Sequence, residues 1–249
     1  MNFMSRITCI LLLCAVVGGC ATSKKTRQDA SSHYQMGMSY LKEQNYTGAL
    51  NELTEADRLT PDDPDILLGL GMAYYYKKQY HTAEDRYLKA IKYRDNFSLA
   101  RNNLGVAYLE MKRWDDAIVQ FTIVNGDLFF DDQESAGINL GLAYLGKGDI
   151  AAAMTVLRRQ IAANPQNPVA HLNLGRAYFA DGRYNLAIGE YHEAIRLSPD
   201  YPPTHYYLAL AFLKAQKNDE ARKSFREVVR LTPFSEFGQI AKEQLDALK

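Results

Sequence analysis

Acid–base or metal chemistry would need histidines, cysteines or carboxylates at productive spacings. The five histidines are His33, His81, His171, His192 and His205. No two of them stand four apart, as a helical metal pair requires, and no HExxH segment or acidic metal loop occurs. The three cysteines, Cys9, Cys14 and Cys20, all lie in the first 20 residues. The rest of the chain therefore has neither a disulfide framework nor a thiolate metal site. A nucleophile elbow, a phosphate loop and a dinucleotide glycine pattern are also missing from the sequence. The 29 Lys plus Arg balance 29 Asp plus Glu, which gives no footing for long-range attraction to nucleic acid or acidic lipid. The 17 tyrosines could stack on bases, but no basic groove accompanies them. The charged segment KNDEARKSFREVVR, residues 217–230, reads as a solvated helix face. The expectation is a protein that binds rather than reacts: not an enzyme, with no cofactor, metal, nucleic acid or small-molecule substrate.

The chain begins with MNFMSR and the apolar run ITCILLLCAVV, whose final VV opens VVGGC at residues 16–20. The run is too short to cross a bilayer but fits the hydrophobic region of a secretory signal peptide. Small residues before Cys20 resemble the bacterial lipobox, although Val17 stands where that family prefers leucine. The resemblance implies a signal peptide over 1–19 and lipid chains, palmitate among them, on Cys20. An ordinary signal peptide or uncleaved anchor with incidental cysteines is the other reading. Lipidation would hold the protein at a membrane without a transmembrane helix. Ala21 in place of Asp resembles proteobacterial sorting to the outer membrane, facing the periplasm. Residues 20–29 read as a polar, lightly basic tether.

The body of the chain repeats. Gly37, Gly71, Gly105, Gly141, Gly175 and Ala209 are separated by 34, 34, 36, 34 and 34 residues. Three positions after each mark stands an aromatic: Tyr40, Tyr74, Tyr108, Tyr144, Tyr178 and Phe212. Twelve after stands Ala49, Ala83, Ala117, Ala153, Ala187 or Ala221, and sixteen after Leu53, Tyr87, Phe121, Leu157, Tyr191 or Phe225. Prolines recur at one offset as Pro61, Pro165, Pro199 and Pro233. Each unit reads as two helices joined by a short turn, with the small residue at their close approach. The large residue sixteen after the mark is expected to bury against the next unit.

This pattern resembles the tetratricopeptide repeat. The resemblance implies an all-α solenoid, a right-handed superhelix of six helix pairs at 30–63, 64–97, 98–133, 134–167, 168–201 and 202–235. One unit cannot bury its apolar face alone, so the stack folds together. Residues 236–249, with Ile240, Leu245 and Leu248 on one stripe, read as a capping helix.

In that family the first helix of each pair lines a concave groove. Its inward positions would be Tyr34, Met38 and Leu41; Leu68, Met72 and Tyr75; Asn102, Val106 and Leu109; Ile138, Leu142 and Leu145; Leu172, Arg176 and Phe179; Tyr206, Leu210 and Leu213. This series is apolar apart from Asn102 and Arg176, unlike the Lys, Arg and Asn rows of carboxylate-clamping grooves. An exposed surface of that kind suits a protein partner. Beside it Asn103, Asn139 and Asn173 recur in register. They could bind a partner's backbone, or could serve only local hydrogen bonding.

The 36-residue interval places an irregular segment, IVNGDLFFDDQES, between Phe121 and Gly141. Phe129 and Phe130 are expected either to tuck into a neighbouring helix or to form an exposed secondary patch edged by Asp127, Asp131 and Asp132.

A lipobox, short tether, six repeats and terminal helix together resemble the pilotin lipoproteins of type IV pilus systems. That resemblance implies a secretin subunit as partner and help with its outer-membrane localisation or multimerisation. Two alternatives are a periplasmic adaptor recruiting peptidoglycan enzymes and an outer-membrane protein assembly factor.

Overall fold

The computed structural model describes residues 24–248. The expected signal peptide and the proposed lipid site Cys20 lie outside the described residues. Thirteen helices account for most of what is described, and no strand occurs among those residues. Helix α1 covers 24–42, α2 Tyr46–Leu59, α3 Pro64–Tyr76, α4 Tyr80–Tyr93 and α5 Ser98–Glu110. Then follow α6 Trp114–Asn125, α7 Gln133–Lys147, α8 Ile150–Ala163 and α9 Pro168–Ala180. The last four are α10 Tyr184–Leu197, α11 Pro202–Lys214, α12 Asn218–Leu231 and α13 Glu236–Ala247. The chain divides after Met111 into two compact units. The first holds α1–α5 and the second α6–α13.

Local chemistry sets the helix ends. Asp63 and Asn167 cap α3 and α9 by accepting from the backbone amides two and three residues on, and Pro64 and Pro168 stand at the first helical position. Pro202 opens α11 in the same way. Every first-to-second-helix turn carries one left-handed residue, seven after the register mark. These are Gln44, Lys78, Lys112, Gly148, Gly182 and Gln216. The amide that follows reaches back to close the turn, as Gln79 N–H does to the Tyr74 carbonyl at 2.9 Å. Four of the six turns accept a side chain there, where glycine would be unstrained.

Packing follows the register. All six alanines twelve after the mark are fully buried, as are the large residues sixteen after it. Four of those large side chains lie over the glycine marks of their own repeats. A Cβ on Gly37 would fall 2.6 Å from Leu53 Cγ, on Gly71 2.4 Å from Tyr87 Cε1, on Gly141 2.7 Å from Leu157 Cγ and on Gly175 2.5 Å from Tyr191 Cε1. The contact expected with the next unit is present at Leu53, and the contact within the residue's own unit adds to it. Leu53 fills the notch its own glycine leaves and also touches the next unit, 3.1 Å from where a Gly69 Cβ would stand. Contacts of α3 with α5, α7 with α9 and α9 with α11 stack successive first helices within each unit.

At the C-terminal end, Ala241 and Leu245 of α13, with Leu248 just after it, pack with a cluster of Ala209, Phe225 and Val228. At the other end the structure departs from the expected tether. Residues 24–29 are helical, and Ala30 is buried. KKTRQDA contains good helix formers and neither Gly nor Pro, so α1 extends outward from the packed Ala30.

Candidate partner-binding face

Three of the five histidines, His33, His171 and His205, act as internal braces. His33 Nδ1 lies 2.7 Å from Glu52 Oε2, and His171 Nδ1 lies 2.7 Å from Glu190 Oε2, both across nineteen residues of one helix pair. His171 Nε2 also meets the Pro165 carbonyl at 3.1 Å, and His205 Nε2 meets the Pro199 carbonyl at 2.6 Å. Among the described residues no group of three or more His, Cys, Asp or Glu is placed to hold a metal ion.

In the first unit, Tyr34, Met38, Met72, Tyr75, Asn102, Asn103, Val106 and Leu109 are half-buried along the first helices. Leu68 is 5% exposed, and Leu41 is buried as well, so neither offers surface to a partner. Tyr34 and Met38 pack against the core of Leu41, Leu53 and Ile66. Burial, with Asp65 and Asp63 nearby, raises the Tyr34 phenol above its ordinary value. Burial, with a smaller contribution from Glu110, pushes the Tyr75 phenol up to about 12.

In the second unit, Asn139, Leu142, Leu145, Arg176, Phe179, Tyr206, Leu210 and Leu213 are half-buried. Ile138 and Leu172 are each 5% exposed and belong to the core, as Leu68 does. These aliphatic side chains at the fifth position are covered by the adjoining helices, which a repeat template alone does not reveal. The accessible apolar strip in each unit is thus narrower than expected and comes mainly from the ninth and twelfth positions of the first helices. Tyr206 is itself part-covered by the cap, with its ring 5.4 Å from Phe237.

Two of the three asparagines in the row bond to their own helices. The Asn103 amide donates to the Leu99 carbonyl at 3.0 Å, and the Asn173 amide donates to the Val169 carbonyl at 2.9 Å. Asn173 is only 2% exposed, and its Oδ1 accepts from Arg176 at 2.9 Å. The Arg176 guanidinium in turn lies 5.1 Å from the Tyr207 ring centre. The cation in the series is therefore held in place by an amide and an aromatic face.

The largest apolar exposures lie elsewhere, and Phe234, before α13, is among them at 92%. Phe129 is 94% and Leu128 84% exposed in the α6–α7 connection, while Phe130 is half-buried. Tucking is thus corrected for Phe129: the two extra residues let the loop turn outward on a hydrogen-bonded Asp127 before α7 begins. Sequence reading also missed a cleft of about 780 Å³ beside α12 and α13, lined by Arg222, Lys223, Arg226, Lys242 and Leu245 together with Asp219 and Asp246. Charge on α12 was visible in the sequence, but its apposition to α13 depends on the cap's packing. Among the described residues no helix is long and apolar enough to cross a membrane.

Family profiles described as tetratricopeptide repeats match residues 68–121, 144–189 and 204–235, and one described as TPR repeat matches 37–77 and 175–216. The chain is 25% identical over 172 residues to the type IV pilus assembly protein PilF of Pseudomonas aeruginosa, covering 66% of this chain and 68% of that protein. The solved Pseudomonas aeruginosa pilF structure superposes with a TM-score of 0.71 at 20% identity, over 90% of this chain and 99% of that one. PilW, described as a widely conserved type IV pilus biogenesis factor, gives a TM-score of 0.78 at 20% identity, over 86% of this chain and 98% of that one. Cut9 in the APC/C Cut9–Hcn1 hetero-tetramer reaches 0.73 at 18% identity, over 88% of this chain and 42% of that one. At such identities the structural likeness establishes fold alone. With the six-fold register, the packed glycine notches and these matches in agreement, the chain belongs to the tetratricopeptide-repeat family.

Proposed function

We propose that this chain is a non-catalytic assembly factor of type IV pilus biogenesis, anchored by lipid on Cys20 to the outer membrane and facing the periplasm. Its repeats hold a secretin subunit and promote that subunit's outer-membrane localisation or multimerisation. The observation that carries the reading is the match to a pilus assembly protein through two thirds of both chains. The lipobox-like VVGGC adds to it, as does the narrow apolar strip, whose single cation is already engaged by Asn173 and Tyr207. The mechanism is placement: the lipid confines the search to the membrane, and the repeats capture a partner there. Tethering raises the local concentration of the partner to roughly the millimolar range without new contacts.

The test is Cys20→Ala, followed by fractionation of the cell envelope. The variant should keep its helical circular dichroism, leave the outer-membrane fraction, and reduce secretin multimers there. Normal localisation of both proteins would contradict the proposal.

A further inference from the structure

The α6–α7 tip and the α12–α13 cleft carry opposite charges and matching apolar groups on the same unit of the chain. The tip is built rather than slack. Asp127 Oδ1 accepts from the Phe129 amide at 3.0 Å, the Phe130 amide donates to the Asp127 carbonyl at 3.2 Å, and Gln133 Nε2 donates to the same carbonyl at 2.5 Å. Half-buried Phe130 anchors the loop, so Leu128 and Phe129 are held out in water at 84% and 94% exposure. Holding two large apolar side chains there forgoes the stabilisation that burial of either would supply. Asp131 and Asp132 follow on the exposed surface.

The cleft supplies the complement. Its volume of about 780 Å³ falls within the usual range of ligand pockets, roughly 300–1,000 Å³. Four cations and two carboxylates line it, with Leu245 as the apolar wall. Arg222 is engaged by Asp219 and by the Leu248 carbonyl at 2.9 Å, and Lys242 donates to the Pro233 carbonyl at 3.0 Å. Lys223 and Arg226 are exposed and make no hydrogen bond or ion pair among the described residues. An aromatic ring entering here would meet cations over its face and the aliphatic stems of Arg and Lys along its edges. Aspartates beside that ring would find exposed Arg226, and Lys223, whose charge also acts on Asp219. A lipid surface rich in anionic headgroups fits the tip poorly, because Asp131 and Asp132 would repel it.

We propose that the occupant of this cleft is the Leu128–Phe129 tip of a second copy of the same chain. The tip and the cleft are different surfaces, so the pairing is head-to-tail. Every added copy leaves one tip and one cleft free, giving a ring if the rotation closes and an open row if it does not. The contact is a single loop in a cleft, so association is weak in dilute solution and favoured where molecules are concentrated on one surface.

Sedimentation velocity on the full chain in detergent, up to about 1 mM, the concentration that tethering can supply, tests this. The expected result is concentration-dependent growth in mass beyond a dimer. Phe129→Ser, at a site too exposed to affect folding, should weaken the association constant at least about tenfold. Asp131→Arg and Arg226→Glu should each weaken it, and the two changes combined in one chain should restore it. Mere co-residence in micelles would be indifferent to that swap. A monomer throughout the range overturns the proposal, as does association that ignores Phe129→Ser and the charge exchange. A tip that serves an unrelated partner would give the monomeric result.

Discussion

Replacing Gly71 with alanine should destabilise the protein even though alanine is the better helix former. Gly71 lies inside α3, where alanine is favoured over glycine by about 1 kcal/mol. The added Cβ would stand 2.4, 2.5 and 3.0 Å from Cε1, Cδ1 and Cζ of Tyr87. Those are ring atoms, unable to bend away singly, and Tyr87 is 1% exposed, so the ring has no free space to enter. Overpacking of a filled core costs about 1–3 kcal/mol, and a clash with three ring atoms belongs at the upper end. The net loss is about 2 kcal/mol, or about 1 M in the urea midpoint for a typical slope. Gly189→Ala is the control. Gly189 lies within α10, and nothing stands within 4 Å of its added Cβ, so the same change there should raise stability by about 1 kcal/mol. Urea unfolding followed by far-ultraviolet circular dichroism reads both as midpoints, a suitable measure for stacked repeats that need not unfold in one step. A Gly71→Ala midpoint at or above the parent's would refute the notch-and-ring account of this register.

The left-handed turn residues give the opposite substitution. Lys78→Gly and Gln216→Gly relieve side chains at φ 59° and 60°, and each should raise the urea midpoint by the equivalent of about 0.5–1 kcal/mol; a lowered midpoint would show that those side chains contribute more than their strain costs. Stability should also fall in alkali. Burial holds the Tyr75 phenol at about 12, against about 10 in the unfolded chain. Between those values the unfolded state has released a proton that the folded state retains, so this contribution is complete below about pH 10 and is lost as pH rises through the folded value. The more deeply buried phenols of Tyr87 and Tyr191 are shifted in the same direction, also mainly by burial. Urea midpoints measured across that range should decline, and less steeply in Tyr75→Phe; a flat profile would count against the burial of these rings.

Much of the fold was legible because its determinants recur. Gly71 and Tyr87 announce their contact by a spacing that Gly37 with Leu53, and Gly175 with Tyr191, repeat at the same offset. Every unit closes its turn seven residues after the mark, so one register specifies both helices and their connection. The candidate face was legible only as a set of positions. Whether Leu68 or Ile138 meets water depends on how neighbouring helices cover it, and both proved to be core. The paired reading of the asparagines resolves toward local bonding for Asn103 and Asn173, whose amides reach the carbonyl four residues back. The segment around Phe129 stood out because it broke the 34-residue interval, yet its direction is set by the Asp127 hydrogen bonds, which no repeat template encodes. Likewise, Arg226 and Lys242 become neighbours only once α13 docks on α12. Residues 24–29 looked like tether by polarity, but helix propensity and the buried Ala30 outweigh polarity there.

The central claim, that the repeats hold a secretin subunit, is tested most directly by a crosslinked pull-down of the full-length chain from solubilised envelopes, with partners identified by mass spectrometry. A variant carrying Leu142→Asp and Phe179→Asp, both half-buried on the candidate face, runs alongside once circular dichroism shows that it is folded. The account predicts a secretin with the parent chain and its loss with the variant. Recovery of peptidoglycan enzymes without any secretin would contradict it, and equal secretin recovery by both forms would move the binding site off this face.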